Sequence, residues 1–266
     1  NEYGYVGVSV VQDELMMEGM NEKGLSAGLF YFPDYGKYEE YSETNYETNI
    51  SDFQLVSYIL GRCATVDEVK AEIARVHIHG FDPRSSTVHW RFAEPSGRQI
   101  VLEIIDGKCV FYENKLGVLT NSPSFDWQLT NLNNYVNLMP GRTEPHTIGN
   151  MSLSSFGGGS AMIGLPGDFT PPSRFVRAAF FQSTAPQKPD AEGSVFTAFH
   201  ILGSMEIPIG AQFPVDETPA DIPSATQCTC VTDMSGLKFY YRSMYDGGIR
   251  CIDLKEIDFK KIGLKS

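Results

Sequence analysis

The chain has 266 residues and a formal net charge of −12, and 42% of its residues are hydrophobic, 20% charged and 12% aromatic. This composition is typical of a soluble globular protein with enough chain for a substantial core. Nucleic-acid-binding proteins need a basic surface, which an acidic chain without a Lys/Arg cluster does not provide. No apolar run reaches the roughly 20 residues of a membrane-spanning helix. The sequence therefore predicts neither a nucleic-acid partner nor a membrane partner.

Two strands are predicted at the start of the chain. Residues 3–11 alternate large and small side chains, and residues 25–32 form an apolar run. Residues 21–24 between them are typical of a turn, because Gly24 can adopt a positive φ. We therefore expect the two strands to form a hairpin, followed by a polar, Tyr-rich loop over residues 33–48.

Two helices are predicted next. Residues 53–60 are apolar at helical spacing and follow Ser51 and Asp52, either of which is a suitable N-cap. Thr65 and Glu68 have the spacing of a capping box, in which each side chain accepts a hydrogen bond from the backbone N–H of the other residue. The second helix is therefore expected to begin directly after Thr65.

A meander of strands and a second block of helices and strands complete the pattern. The predicted meander strands cover residues 87–92, 100–105, 110–112 and 116–120. Helices are expected over residues 125–138, 173–181 and 194–202, and closing strands near residues 227–233, 237–243 and 249–254. The Gly/Ser/Pro-rich residues 151–172 could link two domains, but the large apolar side chains among them favour a structured loop. Such blocks with antiparallel turns predict an α+β fold.

Residues that could carry chemistry by spacing alone give weak signals. His77 and His79 would share one face of a strand, as zinc ligands can, but a loop after the helix is favoured. Cys228 and Cys230 also share a face, although no second thiol pair lies near them, which favours buried strand cysteines. The glycines of residues 157–160 match neither a phosphate-binding loop nor a nucleophile elbow. These patterns predict no metal site.

Four segments together resemble one enzyme family. They are residues 19–25 (GMNEKGL), 61–66 (GRCATV), 117–123 (GVLTNSP) and 164–175 (GLPGDFTPPSRF). In this order and spacing they are similar to the choloylglycine hydrolases, which include bile salt hydrolases and penicillin V acylases. The resemblance covers almost the whole chain. It implies a single N-terminal-nucleophile domain over residues 1–266, in which two antiparallel sheets lie between helix layers as an αββα sandwich.

The resemblance also implies how such a chain takes part in catalysis. In these enzymes an N-terminal Cys thiolate attacks a linear amide while its own α-amino group acts as the base. Asn121 matches the residue whose side-chain N–H stabilises the tetrahedral oxyanion, and Tyr31 matches the position that supplies a second, backbone donor. Arg174 matches an Arg near the nucleophile, where its charge favours the thiolate. Neither a metal nor an organic cofactor is implied.

The nucleophile itself is expected outside this sequence. The chain begins with Asn1, which has neither a thiol nor a hydroxyl, and none of the five cysteines carries the free α-amine that this mechanism needs. We therefore expect that the family's first roughly fifty residues, with the Cys, are missing here and that this segment alone is inactive. A catalytically inactive family member used for binding or assembly is the alternative.

Two segments are predicted to form loops that line the substrate pocket. They are residues 15–17 and 81–86. Met16, Met17 and Phe81 within them are expected to contact a bulky apolar substrate, since Met and aromatic side chains adapt well to rings and steroids.

Tyr31 also bears on the substrate. Bile salt hydrolases usually have Asn at the matching position, whereas penicillin V acylases have Tyr, whose ring can stack on a phenoxyacetyl group. Conjugated bile salts and penicillin V both stay open as the small-molecule amide substrate. The family is often tetrameric, which predicts a homotetramer. Scattered, unpaired cysteines favour the cytoplasm, although relatives also occur in the periplasm.

Overall fold

The computed structural model describes residues 2–10, 12–82, 86–217 and 224–261, in which the chain forms thirteen strands and five α-helices. The strands are β1 (Tyr5–Val10), β2 (Gln12–Asn21), β3 (Ser26–Tyr31), β4 (Asn49–Ser51), β5 (His77–His79), β6 (Val88–Ala93), β7 (Gln99–Ile105), β8 (Lys108–Glu113), β9 (His146–Ile148), β10 (Met151–Leu153), β11 (Cys228–Asp233), β12 (Lys238–Ser243) and β13 (Asp246–Asp253). The α-helices are α1 (Leu55–Leu60), α2 (Val66–Ile73), α3 (Phe125–Asn131), α4 (Pro171–Thr184) and α5 (Ala191–Gly203). Residue 11 of the first predicted strand and residues 83–85 of the second predicted pocket loop lie outside the described residues.

Two antiparallel sheets stack face to face between layers of helices. The larger sheet has the strand order β1-β2-β3-β6-β7-β8, and the smaller one has the order β11-β12-β13. Met20 of β2 is fully buried against Phe239 of β12 and Leu254, so apolar contacts join the two sheets. Helices α1 and α2 cover the outer face of the larger sheet, and α5 packs on β11. The α+β prediction is confirmed, with the layers in αββα order.

The main core lies between the larger sheet and the helices α1 and α2. Trp90 and Phe92 alternate with polar residues along β6, and both are fully buried in one cluster with Ile59 of α1 and Val69 of α2. Burying side chains of this size stabilises a fold by about 1.5–3 kcal/mol each. The opposite face of β6 carries the polar residues, and it is this face that supports the candidate site.

Both predicted helix starts are present. Ser51 and Gln54 form a capping box at a 3-10 turn that leads into α1. Thr65 caps α2, since its hydroxyl accepts a hydrogen bond from the Glu68 backbone N–H at 3.2 Å. The reciprocal bond differs from the prediction, because the Glu68 carboxylate accepts from the backbone N–H of Ala64. A carboxylate near the N-terminus of a helix is favourable in either arrangement.

The hairpin predicted from residues 3–11 and 25–32 was wrong, because a third strand lies between them. β2 pairs with both β1 and β3, so residues 15–17 belong to a strand and not to a loop. The register of β2 against β1 shifts where Ser9 pairs with Met16. Such a bulge breaks the two-residue alternation by which a strand is recognised in a sequence.

The strand predicted over residues 116–120 was also wrong. Gly117 has a φ of +73°, which does not fit a strand. The Asn114 side chain accepts from the Gly117 N–H at 2.8 Å and donates to the Val118 carbonyl at 3.1 Å. The backbone of this segment is therefore bound by a side chain, and the segment is not a strand of the larger sheet.

Other elements differ in their ends. The helix predicted over residues 125–138 is α-helical only to Asn131 and continues as a 3-10 helix over Leu132–Tyr135. Residues 77–79 form the short strand β5, parallel to β4, where a loop was predicted. Residues 151–172 include β10, a 3-10 turn and the start of α4, which agrees with a structured loop.

Candidate active site

Three predicted site residues lie in one hydrogen-bonded chain. The Asn121 side chain donates from Nδ2 to the Tyr31 carbonyl at 2.8 Å, and its Oδ1 accepts from Arg174 Nη2 at 2.7 Å. A carbonyl oxygen can only accept and a guanidinium can only donate, so these two partners fix which way the amide points. An amide carries two N–H bonds on Nδ2, and the described residues provide an acceptor for one of them.

The segment that carries Asn121 is held on both sides. The Thr120 hydroxyl donates to the Pro171 carbonyl at 3.1 Å, and the Ser122 hydroxyl donates to the Pro33 carbonyl at 2.6 Å. The first bond joins the segment to α4, and the second joins it to the chain that follows β3. Asn121 is therefore positioned relative to both Arg174 and the end of β3.

The backbone of Tyr31 points toward Asn121. Tyr31 faces Val88 across the β3–β6 pair, and the neighbouring Phe32 N–H donates to the Thr87 carbonyl. Successive residues of an antiparallel strand direct their N–H and C=O groups to alternate sides, so both groups of Tyr31 point away from β6. On that side the Tyr31 carbonyl accepts the hydrogen bond from Asn121, and the Tyr31 N–H points to the same side. The pairing of β3 with β2 ends before Tyr31. The Tyr31 ring is 50% exposed.

Arg174 lies in the first turn of α4 and binds through two N–H donors of its planar guanidinium. Besides the bond to Asn121, its Nε donates to the Phe169 carbonyl at 2.9 Å. Burial and the nearby charge of Arg177 lower the pKa of Arg174 from its usual value. An arginine stays protonated at neutral pH even so, because its unperturbed pKa is far above 7. A fixed positive charge therefore lies against Asn121 Oδ1.

The family is settled by comparison with known proteins. A sequence model of linear amide C–N hydrolases, choloylglycine hydrolase family, matches residues 1–265. The chain belongs to this family. A bile salt hydrolase/transferase from Clostridium perfringens is 33% identical over 262 residues, which are 96% of this chain and 78% of that protein.

Solved structures of family members agree with the fold. The chain matches a crystal structure of a variant of conjugated bile acid hydrolase from Clostridium perfringens with a TM-score of 0.85 and 31% sequence identity. The match covers 99% of this chain and 80% of that one. Penicillin V acylase from Agrobacterium tumefaciens matches with a TM-score of 0.77 and 25% identity, over 98% and 72% of the two chains. The fold is thus that of N-terminal-nucleophile amidases.

Two buried polar residues beneath the Asn121 segment were not found from the sequence of this family member. His89 of β6 and Glu103 of β7 are both fully buried, with Nδ1 and Oε1 3.1 Å apart. A signal was present, since His89 lies between apolar residues in an alternating strand and so falls on its polar face. The long-range contact with Glu103 could not be inferred from spacing.

The predicted pocket residues lie in different surroundings. Met16 is 5% exposed and belongs to the main core, and Met17 packs against the same core. Phe81 is 51% exposed, and its backbone N–H donates to the Asp52 carboxylate at 2.9 Å. Burial raises the pKa of that carboxyl. Met16 and Met17 therefore lie on a strand that contacts the core, contrary to the prediction of a pocket-lining loop, while Phe81 is exposed.

The histidine and cysteine pairs of the sequence have protein partners nearby. His77 Nδ1 lies 3.0 Å from the Thr48 hydroxyl, and His79 Nδ1 lies 3.0 Å from the Gly80 carbonyl. The sulfurs of Cys228 and Cys230 lie 3.6 Å apart on β11.

The described residues contain neither a cluster of metal ligands nor a membrane-spanning helix. Within residues 2–10, 12–82, 86–217 and 224–261, no group of three or more His, Cys, Asp or Glu side chains could hold a metal ion. In the same part of the chain, no helix has the length and apolar character needed to cross a membrane.

Proposed function

We propose that this chain forms the oxyanion-stabilising part of an amidase that hydrolyses a linear amide bond in a conjugated bile salt or in penicillin V. The observation that carries the proposal is the Asn121 amide, which is fixed by Tyr31 and Arg174 while an N–H remains for a ligand. The chain's family hydrolyses linear amide C–N bonds. Relatives named bile salt hydrolase/transferase and penicillin V acylase supply the two substrate classes.

The chemistry follows from the orientation of the donors. When a nucleophile adds to an amide carbonyl, the oxygen becomes negatively charged, and N–H groups that already point at it stabilise that charge without reorganisation. Asn121 Nδ2 lies on the side of β3 to which the Tyr31 backbone N–H points. The positive charge of Arg174 on Oδ1 polarises the Asn121 amide, which makes its N–H a stronger donor.

The nucleophile in this proposal is an N-terminal Cys encoded upstream of Asn1. Its α-amino group takes the thiol proton, the thiolate attacks the carbonyl carbon, and that proton passes to the nitrogen of the leaving amine. Water then hydrolyses the thioester, which releases the acid and regenerates the thiol. Cys63 and Cys109 are poor substitutes. Burial raises the pKa of Cys63 to about 12, so at neutral pH it is a thiol and not a thiolate. Burial also raises the pKa of Cys109.

The half-exposed Tyr31 ring favours penicillin V, because it can stack on the phenoxyacetyl group, and the 33% identity to a bile salt hydrolase/transferase favours conjugated bile salts. Both substrate classes therefore stay in the proposal. A Tyr31→Asn variant of the active protein should shift the substrate preference toward conjugated bile salts. An unchanged preference would remove Tyr31 from the specificity argument.

The test is amide hydrolysis by the gene product including its upstream residues, with the mature N-terminus verified by mass spectrometry. Glycine- and taurine-conjugated bile salts and penicillin V are offered side by side. Release of glycine or taurine, or of phenoxyacetate, supports the proposal and selects the substrate. No release by a protein that carries an N-terminal Cys would contradict it and would favour the inactive, binding alternative.

The assembly and compartment stay predictions. Family resemblance predicts a homotetramer, which light scattering coupled to size-exclusion chromatography would test against a monomer or dimer. A cytoplasmic location is favoured over the periplasm, and fractionation of the source cells would decide between them.

A further inference from the structure

A buried His–Glu pair lies directly beneath the Asn121 segment. His89 and Glu103 are cross-strand neighbours on β6 and β7, one position beyond the Trp90–Leu102 pair. Both side chains are 0% exposed, and Nδ1 of His89 lies 3.1 Å from Oε1 of Glu103. A buried polar pair of this kind adds little to stability compared with apolar side chains of the same size. Its effect must therefore be sought in what it positions.

The outer bonds of the pair hold the two ends of the Asn121 segment. His89 Nε2 donates to the Thr120 carbonyl at 2.9 Å, directly before Asn121. Glu103 Oε1 accepts from the Phe125 backbone N–H at 2.8 Å, at the start of α3. The residues between these two anchors, 121–124, include the proposed oxyanion donor.

The directions of these bonds are fixed by the protons available. The Thr120 carbonyl can only accept, so His89 Nε2 carries a proton, and the Phe125 N–H can only donate, so Glu103 Oε1 accepts. One further proton lies between His89 Nδ1 and Glu103 Oε1. Whichever of the two atoms carries it, the two outer bonds keep their direction. The pair therefore holds the segment in one arrangement.

His89 also contacts the strand that carries the second proposed donor. Its ring stacks on Phe32 with centroids 4.4 Å apart and an interplanar angle of 11°. Phe32 follows Tyr31, so one buried ring touches the neighbours of both Tyr31 and Asn121. Because the ring is fixed by Glu103, the spacing of the two donors depends on it.

We infer that His89 and Glu103 are positioning residues for the oxyanion site, an inference that rests on the function proposed for Asn121. Neither side chain reaches the reacting atoms. They hold the Thr120 carbonyl and the Phe125 N–H, and through them the Asn121 amide, at the distance from Tyr31 that oxyanion stabilisation requires. A misplacement of about 1 Å at such a site can lower a rate by about 100-fold.

The test compares two substitutions of one residue. His89→Phe keeps the stacking on Phe32 but removes the donor to Thr120, whereas His89→Gln keeps a donor at the position of Nε2. In the active gene product, His89→Phe should lower kcat by about 10- to 100-fold with KM changed by less than about twofold. His89→Gln should restore most of the lost rate. Val69→Ala in α2 is the control, because it weakens core packing without changing the bonds that position Asn121.

A second readout does not depend on activity. The side-chain amide resonances of Asn121, assigned by their absence in Asn121→Ala, should shift toward free-amide values and exchange faster in His89→Phe but not in Val69→Ala. Glu103→Leu, which removes the acceptor for the Phe125 N–H, should have the same effect and replaces His89→Phe if that variant does not fold. Unchanged Asn121 resonances in these variants would overturn the inference, whatever the activity. An unmodified gene product that hydrolyses no amide would overturn the proposed function, while the resonances still decide the positioning.

Discussion

Two asparagines, one in each of two motif segments, show how differently the same side chain can serve a protein. Asn21, the last residue of β2, is fully buried, and both ends of its amide are bound by backbone groups. Its partners are the N–H groups of Lys23 and Leu25, at 3.0 and 3.1 Å, and the carbonyls of Leu60 and Cys63, at 2.8 and 2.7 Å. Asn121 is only partly buried. Its amide donates one N–H to the Tyr31 carbonyl, and its oxygen accepts from Arg174.

The difference separates a residue that joins elements of the fold from a residue that is proposed to bind a ligand. Asn21 joins the turn to the end of α1, and no hydrogen-bonding capacity is left over. Asn121 is held by two side-chain hydrogen bonds, and the described residues provide an acceptor for only one of its two N–H groups. A motif residue thus reveals its role through the balance of its hydrogen bonds, and four predictions follow from that balance.

Asn121→Ala should give the largest effect, and it should fall on activity. Removing one oxyanion donor lowers kcat by about 10²–10³-fold. The free energy of unfolding should fall by only about 1–2 kcal/mol, because the substitution removes the hydrogen bonds to the Tyr31 carbonyl and to Arg174 at a partly buried site. Steady-state kinetics of the active gene product and urea unfolding measure the two quantities. Asn134→Ala, at an exposed position after α3, is the matched control and should change neither.

Asn21→Ala should give the reverse pattern. It leaves the carbonyls of Leu60 and Cys63 without their side-chain donor in a buried place. Because each buried group without a partner costs about 1–3 kcal/mol, the free energy of unfolding should fall by about 3 kcal/mol. Urea unfolding of this chain against Asn121→Ala measures the contrast. A loss below about 1 kcal/mol would contradict a structural role for Asn21.

Arg174→Met should lower kcat less than Asn121→Ala does. It removes a charged donor from Asn121 Oδ1, and hydrogen bonds to charged groups contribute about 1.5–3 kcal/mol, which corresponds to about 10- to 100-fold in rate. Arg174→Lys should not restore the rate fully, because an ammonium cannot bind Asn121 and the Phe169 carbonyl with one planar fork. Full activity in both variants would remove Arg174 from the site.

Asp168 should give the smallest effect, present near neutral pH and lost in acid. Hydrogen bonds from Thr170 and Ser173 lower the pKa of Asp168 from 3.8 to about 2. Because the pKa is lower in the folded state, the carboxylate stabilises the start of α4 at any pH above its unfolded-state pKa. This contribution is lost as the pH falls through about 2. Asp168 is exposed, so solvent weakens the effect. Unfolding midpoints measured from about pH 5 to pH 2 should converge for the unmodified chain and Asp168→Asn.

Local signals in the sequence predicted most of the fold. The capping residues Ser51 and Thr65, the meander β6–β8 and the three closing strands were found because turns and caps depend on neighbours along the chain. β2 was missed, since its bulge at Met16 interrupts the alternation. The apolar residues 116–120 after β8 predict a strand, but the Asn114 side chain binds the backbone of this segment instead.

The site was predicted only as far as motifs reach. Asn121, Tyr31 and Arg174 lie far apart in sequence and were selected by resemblance, and the structure places them in contact. Their catalytic roles stay predictions. His89 and Glu103 belong to no motif segment, and their contact arises from the pairing of β6 with β7, which residue spacing does not encode.

The most direct measurement is a crystal structure of the active gene product with an aldehyde analogue of its better substrate, which forms a tetrahedral adduct with the Cys thiolate. The account predicts that the adduct oxygen lies about 2.7–3.1 Å from both Asn121 Nδ2 and the Tyr31 backbone N. An adduct oxygen more than about 3.5 Å from both nitrogens would contradict it, because no hydrogen bond forms at that distance.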